Sequence, residues 1–202
     1  LGTPISSLLA WLELLKLQNT DETTVAELEK DISRLEKITA RFSKIGSKPE
    51  LILTNLVDVI HSSVEYLKHR SPEKVKYEIR YDQAQNWEIP LNEALFSWVV
   101  ENLSKNAMDA MNGSGQITFS LRQKEEQVIV DVTDTGKGIL KSQFKTIFQP
   151  GFSTKKRGWG LGLSLAKRIV ENYHKGRIFI RDSEINKGTT FRIILHKPQI
   201  KG

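Results

Sequence analysis

The chain contains no cysteine, which excludes disulfides and cysteine-held metal centres and is compatible with a reducing compartment. It has no run of about 18 apolar residues, so no segment is expected to span a membrane. Nothing in it reads as a secretory signal peptide. The phosphate loop Gly-x4-Gly-Lys-Ser/Thr is missing, and the glycines at 158–162 are not spaced Gly-x-Gly-x-x-Gly. Neither a His-Arg-Asp loop nor an Asp-Phe-Gly is present, which excludes a kinase of the Ser/Thr/Tyr type. Large single-sign charge is lacking too. The net charge is +6 over 202 residues, and it is spread rather than clustered. A solvated surface that also meets a polyanionic ligand fits this better than a nucleic-acid binder.

What remains is an ordinary globular composition, 39% apolar and 27% charged, long enough for one or two domains. Ile5, Leu8, Leu9, Leu12 and Leu15 recur at helical spacing within residues 1–17, with Pro4 suited to a first turn. After a polar break at 18–24, Val25, Leu28, Ile32, Leu35, Ile38, Phe42 and Ile45 step by threes and fours. Two such helices predict an antiparallel hairpin over 1–46. Its apolar stripes need a second surface, and a homodimeric four-helix bundle supplies one; packing on the rest of the same chain is the alternative. Gly46-Ser-Lys-Pro49 marks the boundary, leaving 47–202 as a second domain.

That second domain reads as α+β. Strands are expected at 51–53, 75–81, 117–121, 128–132, 177–181 and 189–195, with helices near 56–69, 92–111 and after Gly162. The order is not regular βαβ, so the helices should pack on one face of a mixed sheet.

Two features carry chemistry. Phe96, Val99, Val100, Leu103, Ala107, Ala110 and Met111 form the buried stripe of the 92–111 helix, while Asn102, Asn106 and Asp109 line one edge. Asparagine is a poor helix former, so two in a well-patterned helix need a reason. Their amide oxygens are hard donors suited to Mg2+. The second feature is the stretch from Asp134 to Gly162, with Gly136, Gly138, Gly158, Gly160 and Gly162. Glycine lets a ligand approach the main chain, and a helix begins where these glycines stop, an arrangement suited to phosphate. Asp134 ends an alternating strand, where a carboxylate can accept a bond from an adenine amine; a turn-forming Asp is the plain alternative. Asp-Thr-Gly also occurs in aspartic proteases, but their chemistry needs two such carboxylates, and one motif is present.

Taken together, five segments resemble the catalytic ATP-binding domain of sensor histidine kinases. Asn102-Leu-Ser-Lys-Asn106-Ala-Met-Asp-Ala110 is similar to their N box and Asp134-Thr-Gly-Lys-Gly138-Ile to G1. Residues 144–152, continuing into Ser153-Thr-Lys155, resemble the F box, and Gly158–Gly162 resemble G2. Gly188-Thr-Thr-Phe191 is similar to the final strand. The resemblance covers roughly 48–197 and implies an α/β sandwich of the GHKL type, with a mobile lid at about 137–159. It implies an ATP site drawn from Asn102, Asn106, Asp109, Asp134, Gly136, Gly138, Ile139, Phe148, Ser153, Thr154, Lys155, Gly158, Gly160, Leu161, Gly162 and Thr190. Asn106 would hold Mg2+, and Asn102 would share in catalysis.

The hairpin resembles the same family's dimerisation and phosphotransfer domain. Leu1-Gly-Thr-Pro4 matches the end of its His-Glu-Leu-x-Thr-Pro box. The phospho-accepting His would then lie two residues before Leu1, and His61, His69, His174 and His196 are not candidates. A piece without that His should not autophosphorylate. Thr3 would orient water in a phosphatase reaction, or else cap a helix beginning at Pro4. The implied protein is an ATP-dependent protein-histidine kinase that passes phosphate to an aspartate of a response-regulator receiver domain. It would be cytoplasmic, or the cytoplasmic part of a sensor whose membrane region is not in this chain. Two departures stand out. Asp109 and Ala110 replace the Lys-Tyr of many N boxes, so a phosphate cation must come from Lys105, Lys155 or Arg157. Trp159 takes a position where smaller residues are usual. A clamp-type ATPase of the same superfamily would carry Glu where Asn102 stands, and a non-catalytic dimeric scaffold is the third reading.

Overall fold

The computed structural model describes residues 2–17, 25–26, 28–29, 32, 49–153 and 160–198. The chain divides into two compact units, Leu1–Pro49 and Glu50–Gly202.

In the first unit, helix α1 spans Gly2–Leu17. Thr3 therefore stands inside a helix rather than before one beginning at Pro4. Residues 25, 26, 28, 29 and 32 are also helical. Leu12, Val25 and Ile32 form one buried cluster. Lys16 Nζ donates to Glu13 at 2.9 Å and to Glu29 at 3.2 Å, tying α1 to the second helical stretch. The expected continuation of that stretch to Ile45 lies outside the described residues. Leu8, Trp11, Leu14 and Leu28 remain exposed.

The second unit is a mixed sheet with helices on one face. Strand β1 (Ile52–Asn55) runs into helix α2 (Leu56–Lys68). Asn55 caps that helix, its side-chain oxygen accepting from the Val57 N–H at 2.9 Å and the Asp58 N–H at 3.4 Å. Next come β2 (Val75–Arg80), β3 (Glu88–Leu91) and helix α3 (Glu93–Ala110). Asn92 caps α3 in the same way, through the Leu95 N–H at 3.1 Å. Strands β4 (Gly115–Lys124) and β5 (Gln127–Asp134) form a hairpin. After the loops come helix α4 (Gly162–Arg168), continued by a π turn over Ile169–Tyr173, and strands β6 (Arg177–Glu184) and β7 (Gly188–His196).

The five-stranded sheet has the order β2-β4-β5-β7-β6, parallel only between β2 and β4; β1 and β3 make a separate antiparallel pair. The expected α+β architecture is therefore present in this unit. Alternation sends Ile117, Phe119, Val128, Val130, Val132, Phe191, Ile193 and Leu195 to the buried face. There they meet Leu56, Ile60, Val64, Phe96, Val99, Leu103, Ala166 and Ile169, which are also buried. Among the described residues, no helix is long and apolar enough to cross a membrane.

A candidate nucleotide site

The site sits where β5 ends, beside the C-terminal half of α3 and the start of α4. Asp134 is the last residue of β5, directly opposite Thr189 of β7, and is only 4% exposed. Its Oδ1 accepts the Gly136 N–H at 2.8 Å. Burial pushes the carboxyl above its ordinary pKa, against the opposing effect of backbone N–H bonds from Gly136 and Thr189. A desolvated carboxylate held by two backbone donors is a ready acceptor for an exocyclic amine.

The loop after Asp134 is strapped down on both sides. The Lys137 N–H donates to the Ala110 carbonyl at 3.0 Å, at the end of α3. The Lys137 carbonyl accepts the Asn186 N–H at 2.9 Å, and the Ile139 N–H donates to Ser183 Oγ at 2.8 Å. Two glycines make this approach feasible. A Cβ on Gly136 would lie 2.7 Å from the Ala110 Cβ. Gly138 has φ +74°, and its Cβ would run into the Glu184 carbonyl.

On α3, the Asn102 Nδ2 donates to the Trp98 carbonyl at 3.0 Å, which leaves Oδ1 turned outward. That oxygen lies 3.1 Å from where a Gly162 Cβ would stand, so the asparagine edge of α3 and the first residue of α4 are neighbours. Asn106 is half-buried, and Asp109 is exposed. The neutral amide oxygens of Asn102 and Asn106 fit a hard cation that keeps phosphate oxygens and water among its ligands. Among the described residues, no cluster of three His, Asp or Glu side chains could cage a metal without such help. Of the proposed phosphate cations, Lys105 is paired with Glu101 along the helix, and Lys155 and Arg157 lie outside the described residues.

The two ends of the segment expected to form a lid are described. The Gly151 N–H donates to the Gly160 carbonyl at 3.1 Å, closing the base. Phe148 is buried and packs edge-on against Phe191, with ring centroids 6.2 Å apart. Ile139 and Leu161 are half-buried, and the Leu161 carbonyl accepts the Leu165 N–H at 2.9 Å. Ser153 is described; Thr154, Lys155, Gly158 and Trp159 lie outside the described residues.

One placement differs from the sequence reading. Thr190 pairs with Thr133 (Oγ1–Oγ1 3.0 Å), and both face away from the helices. Thr189 takes the inward position, is buried, and shares a 2.9 Å hydroxyl contact with Ser183. A side chain on a strand changes face with every residue, so the threonine on the Asp134 side is Thr189. Ser183 and Thr189 are the residues beside Asp134 that the sequence patterns did not single out. The signal for Thr189 was its shared parity with Phe191, Ile193 and Leu195.

Four histidines were set aside as phosphate acceptors. His174 is buried, with Nδ1 2.9 Å from the Ile169 carbonyl and Nε2 accepting the Asn92 N–H at 3.1 Å. His61 stacks edge-on against Tyr81 at 5.9 Å.

Residues 92–199 match the family model described as "Histidine kinase-, DNA gyrase B-, and HSP90-like ATPase". The chain is 29% identical over 199 residues to Sporulation kinase D of Bacillus subtilis, covering 95% of this chain and 39% of that protein. It is 31% identical over 172 residues to the sensor histidine kinase ZraS of Salmonella typhi, covering 83% of this chain and 36% of that protein. The chain thus spans about two fifths of the length of these curated relatives. Among solved structures, the catalytic domain of histidine kinase ThkA superposes with a TM-score of 0.66 at 26% identity, covering 73% of this chain and 96% of that one. The asparagine edge, the strand-end carboxylate and the strapped glycine loop are thus set in the frame those proteins share, and the chain belongs to the histidine kinase-, DNA gyrase B- and HSP90-like ATPase family as a homologue of its sensor histidine kinases.

Proposed function

We propose that this chain is the kinase core of an ATP-dependent protein-histidine kinase of a two-component system. The observation that carries this reading is Asn102 beside Gly162, an amide where a hydrolase needs a carboxylate. An amide cannot take a proton from water, so the site favours positioning a γ-phosphoryl group over hydrolysing it. In this reading Asp134 and Thr189 hold the adenine, and the loop at Gly136–Gly138 lies along the nucleotide. Asn106, helped by Asn102, would hold Mg2+, which when bound offsets phosphate charge. A histidine imidazole attacks the γ-phosphorus in line. The N–P bond forms as the bond to the β-phosphate oxygen breaks, and ADP leaves. The phosphoryl group then passes to an aspartate of a receiver domain. The acceptor is not one of the four histidines in this chain. Thr3 would act in the reverse direction, orienting water toward the phosphorylated receiver.

The test is product analysis with the full-length protein and γ-labelled ATP. Acid-labile, base-stable label on the protein, absent in Asn106→Ala, supports the proposal. Free phosphate as the main product, with no label on the protein, favours a clamp-type ATPase. For Thr3, Thr3→Ala should slow dephosphorylation of the receiver and leave autophosphorylation nearly intact; equal loss of both would remove it from that role.

A further inference from the structure

The sheet's other face, turned away from the helices, gathers arginines. The register puts Asp131 of β5 opposite Arg192 of β7. Arg192 grips it with two bonds, Nε to Oδ1 at 2.7 Å and Nη2 to Oδ2 at 2.9 Å. Arg122 from β4 adds a bond to Oδ2 at 2.6 Å, and Arg181 from β6 adds one at 3.2 Å. Arg181 sits at the register shift between Ile180 and Asp182, an extra residue of the kind a β-bulge re-aims. Asp131 is 5% exposed at its side chain, whereas Arg122 and Arg181 are each 49% exposed.

One carboxylate is satisfied by one bidentate guanidinium. Arg122 and Arg181 are therefore surplus to the fold. Each makes one bond to Asp131 and, being half exposed, has further N–H donors to offer a partner. Three like charges are held around a single counter-charge, an arrangement that an incoming anion relieves. Arg177 adds a fourth cation on the same face, 5.7 Å from the Phe179 ring. Toward β2, Arg80 is held by Glu78 through bonds of 2.7 and 2.8 Å, and Lys76 lies on the same face by register. The patch is mixed with apolar side chains, Ile129 and Ile194 among them.

We propose that this face docks an acidic segment of a protein partner, whose carboxylates bond the outward N–H groups of Arg122 and Arg181 while its apolar side chains rest on Phe179 and Ile194. Arginine and aromatic residues side by side are the composition of protein-interface centres. A nucleic acid would need a longer basic track, and a membrane surface would need cations on a protruding rim. The nucleotide site lies on the opposite face of the sheet, so this inference stands or falls separately from the proposed kinase reaction.

The experiment uses the 202-residue chain and a dye-labelled synthetic peptide of alternating Glu and Leu, read by fluorescence anisotropy at low salt. Arg122→Gln/Arg181→Gln keeps the Arg192–Asp131 pair and should weaken binding roughly tenfold, about 1.4 kcal/mol. Lys68→Gln, on exposed helix surface, should leave it unchanged, and circular dichroism should show an intact fold. Arg177→Gln should give a smaller loss, and this serves as the deciding variant if the double variant does not fold. Wild-type binding by Arg122→Gln/Arg181→Gln, or by Arg177→Gln in its place, overturns the proposal. So does tighter binding of phosphatidylserine vesicles or of a single-stranded oligonucleotide than of the peptide.

Discussion

At the scale of single residues, two buried titratable groups make opposite demands. Asp134 must be ionised to accept a bond from a neutral amine, and burial works against that by raising its pKa. Nucleotide affinity should therefore fall on acidification earlier than an ordinary carboxylate would dictate. Asp134→Asn replaces an acceptor with a group that must turn a donor inward, and should cost on the order of 1–3 kcal/mol of ADP affinity. Calorimetry that finds equal affinity in the variant removes Asp134 from the site. His174 works the other way. Burial lowers its pKa, and Nε2 cannot be protonated while it accepts the Asn92 N–H. The folded state then binds fewer protons than the unfolded chain once pH drops below about 6.5, so stability falls as pH falls through that value. Urea midpoints at neutral and mildly acidic pH should diverge in the wild type and converge in His174→Gln. If the variant keeps the full pH dependence, another group is responsible.

At the scale of elements, legibility followed from how regular each element is. Helix α3 was readable because its buried stripe repeats for 18 residues. Strand β3 was not, since it has four residues and contains Pro90, which argues against a strand unless it lies at an edge; its only described partner is β1. The β4–β5 turn was read too long, because Glu125 takes φ 51° where glycine or asparagine would have announced a tight turn. Asp134 was readable as a strand-end carboxylate. Its neighbours were harder, because the irregularity between Ile180 and Asp182 changes the parity of β6 and turns Ser183 inward, which no alternation rule anticipates. The loop between β5 and the lid is the element most open to a direct test. Gly138→Ala forces a side chain into the left-handed region and against the Glu184 carbonyl. A loss of roughly 1–3 kcal/mol in unfolding free energy is expected, together with weaker ADP binding as the strap at Ile139 and Ser183 loosens. Unchanged denaturation would mean that the loop relaxes freely and is not held as described.

At the scale of the molecule, the question is what covers the first unit. The second unit has its own core, with Leu56, Ile60, Phe96, Phe119 and Ile193 all nearly inaccessible. A chain starting near Lys48 should therefore fold, bind nucleotide and stay monomeric. The first unit differs. One buried cluster, Leu12, Val25 and Ile32, is accompanied by Leu8, Trp11 and Leu14 along α1, with Trp11 65% exposed. The expected stripe of Ile5, Leu8, Leu9, Leu12 and Leu15 does not include Trp11, the largest apolar side chain of that helix. Side chains of this size contribute about 1.5–3 kcal/mol each when fully buried, and a symmetric pairing counts every contact twice. A homodimer through residues 1–46 would provide that burial. Light scattering should then give a dimer for the 202-residue chain, and Trp11→Glu/Leu14→Glu should shift it to monomer without loss of ADP binding. A wild-type chain that is monomeric at tens of micromolar, or a double variant that remains dimeric, would show that these side chains are not the contact and that the first unit does not pair in this way.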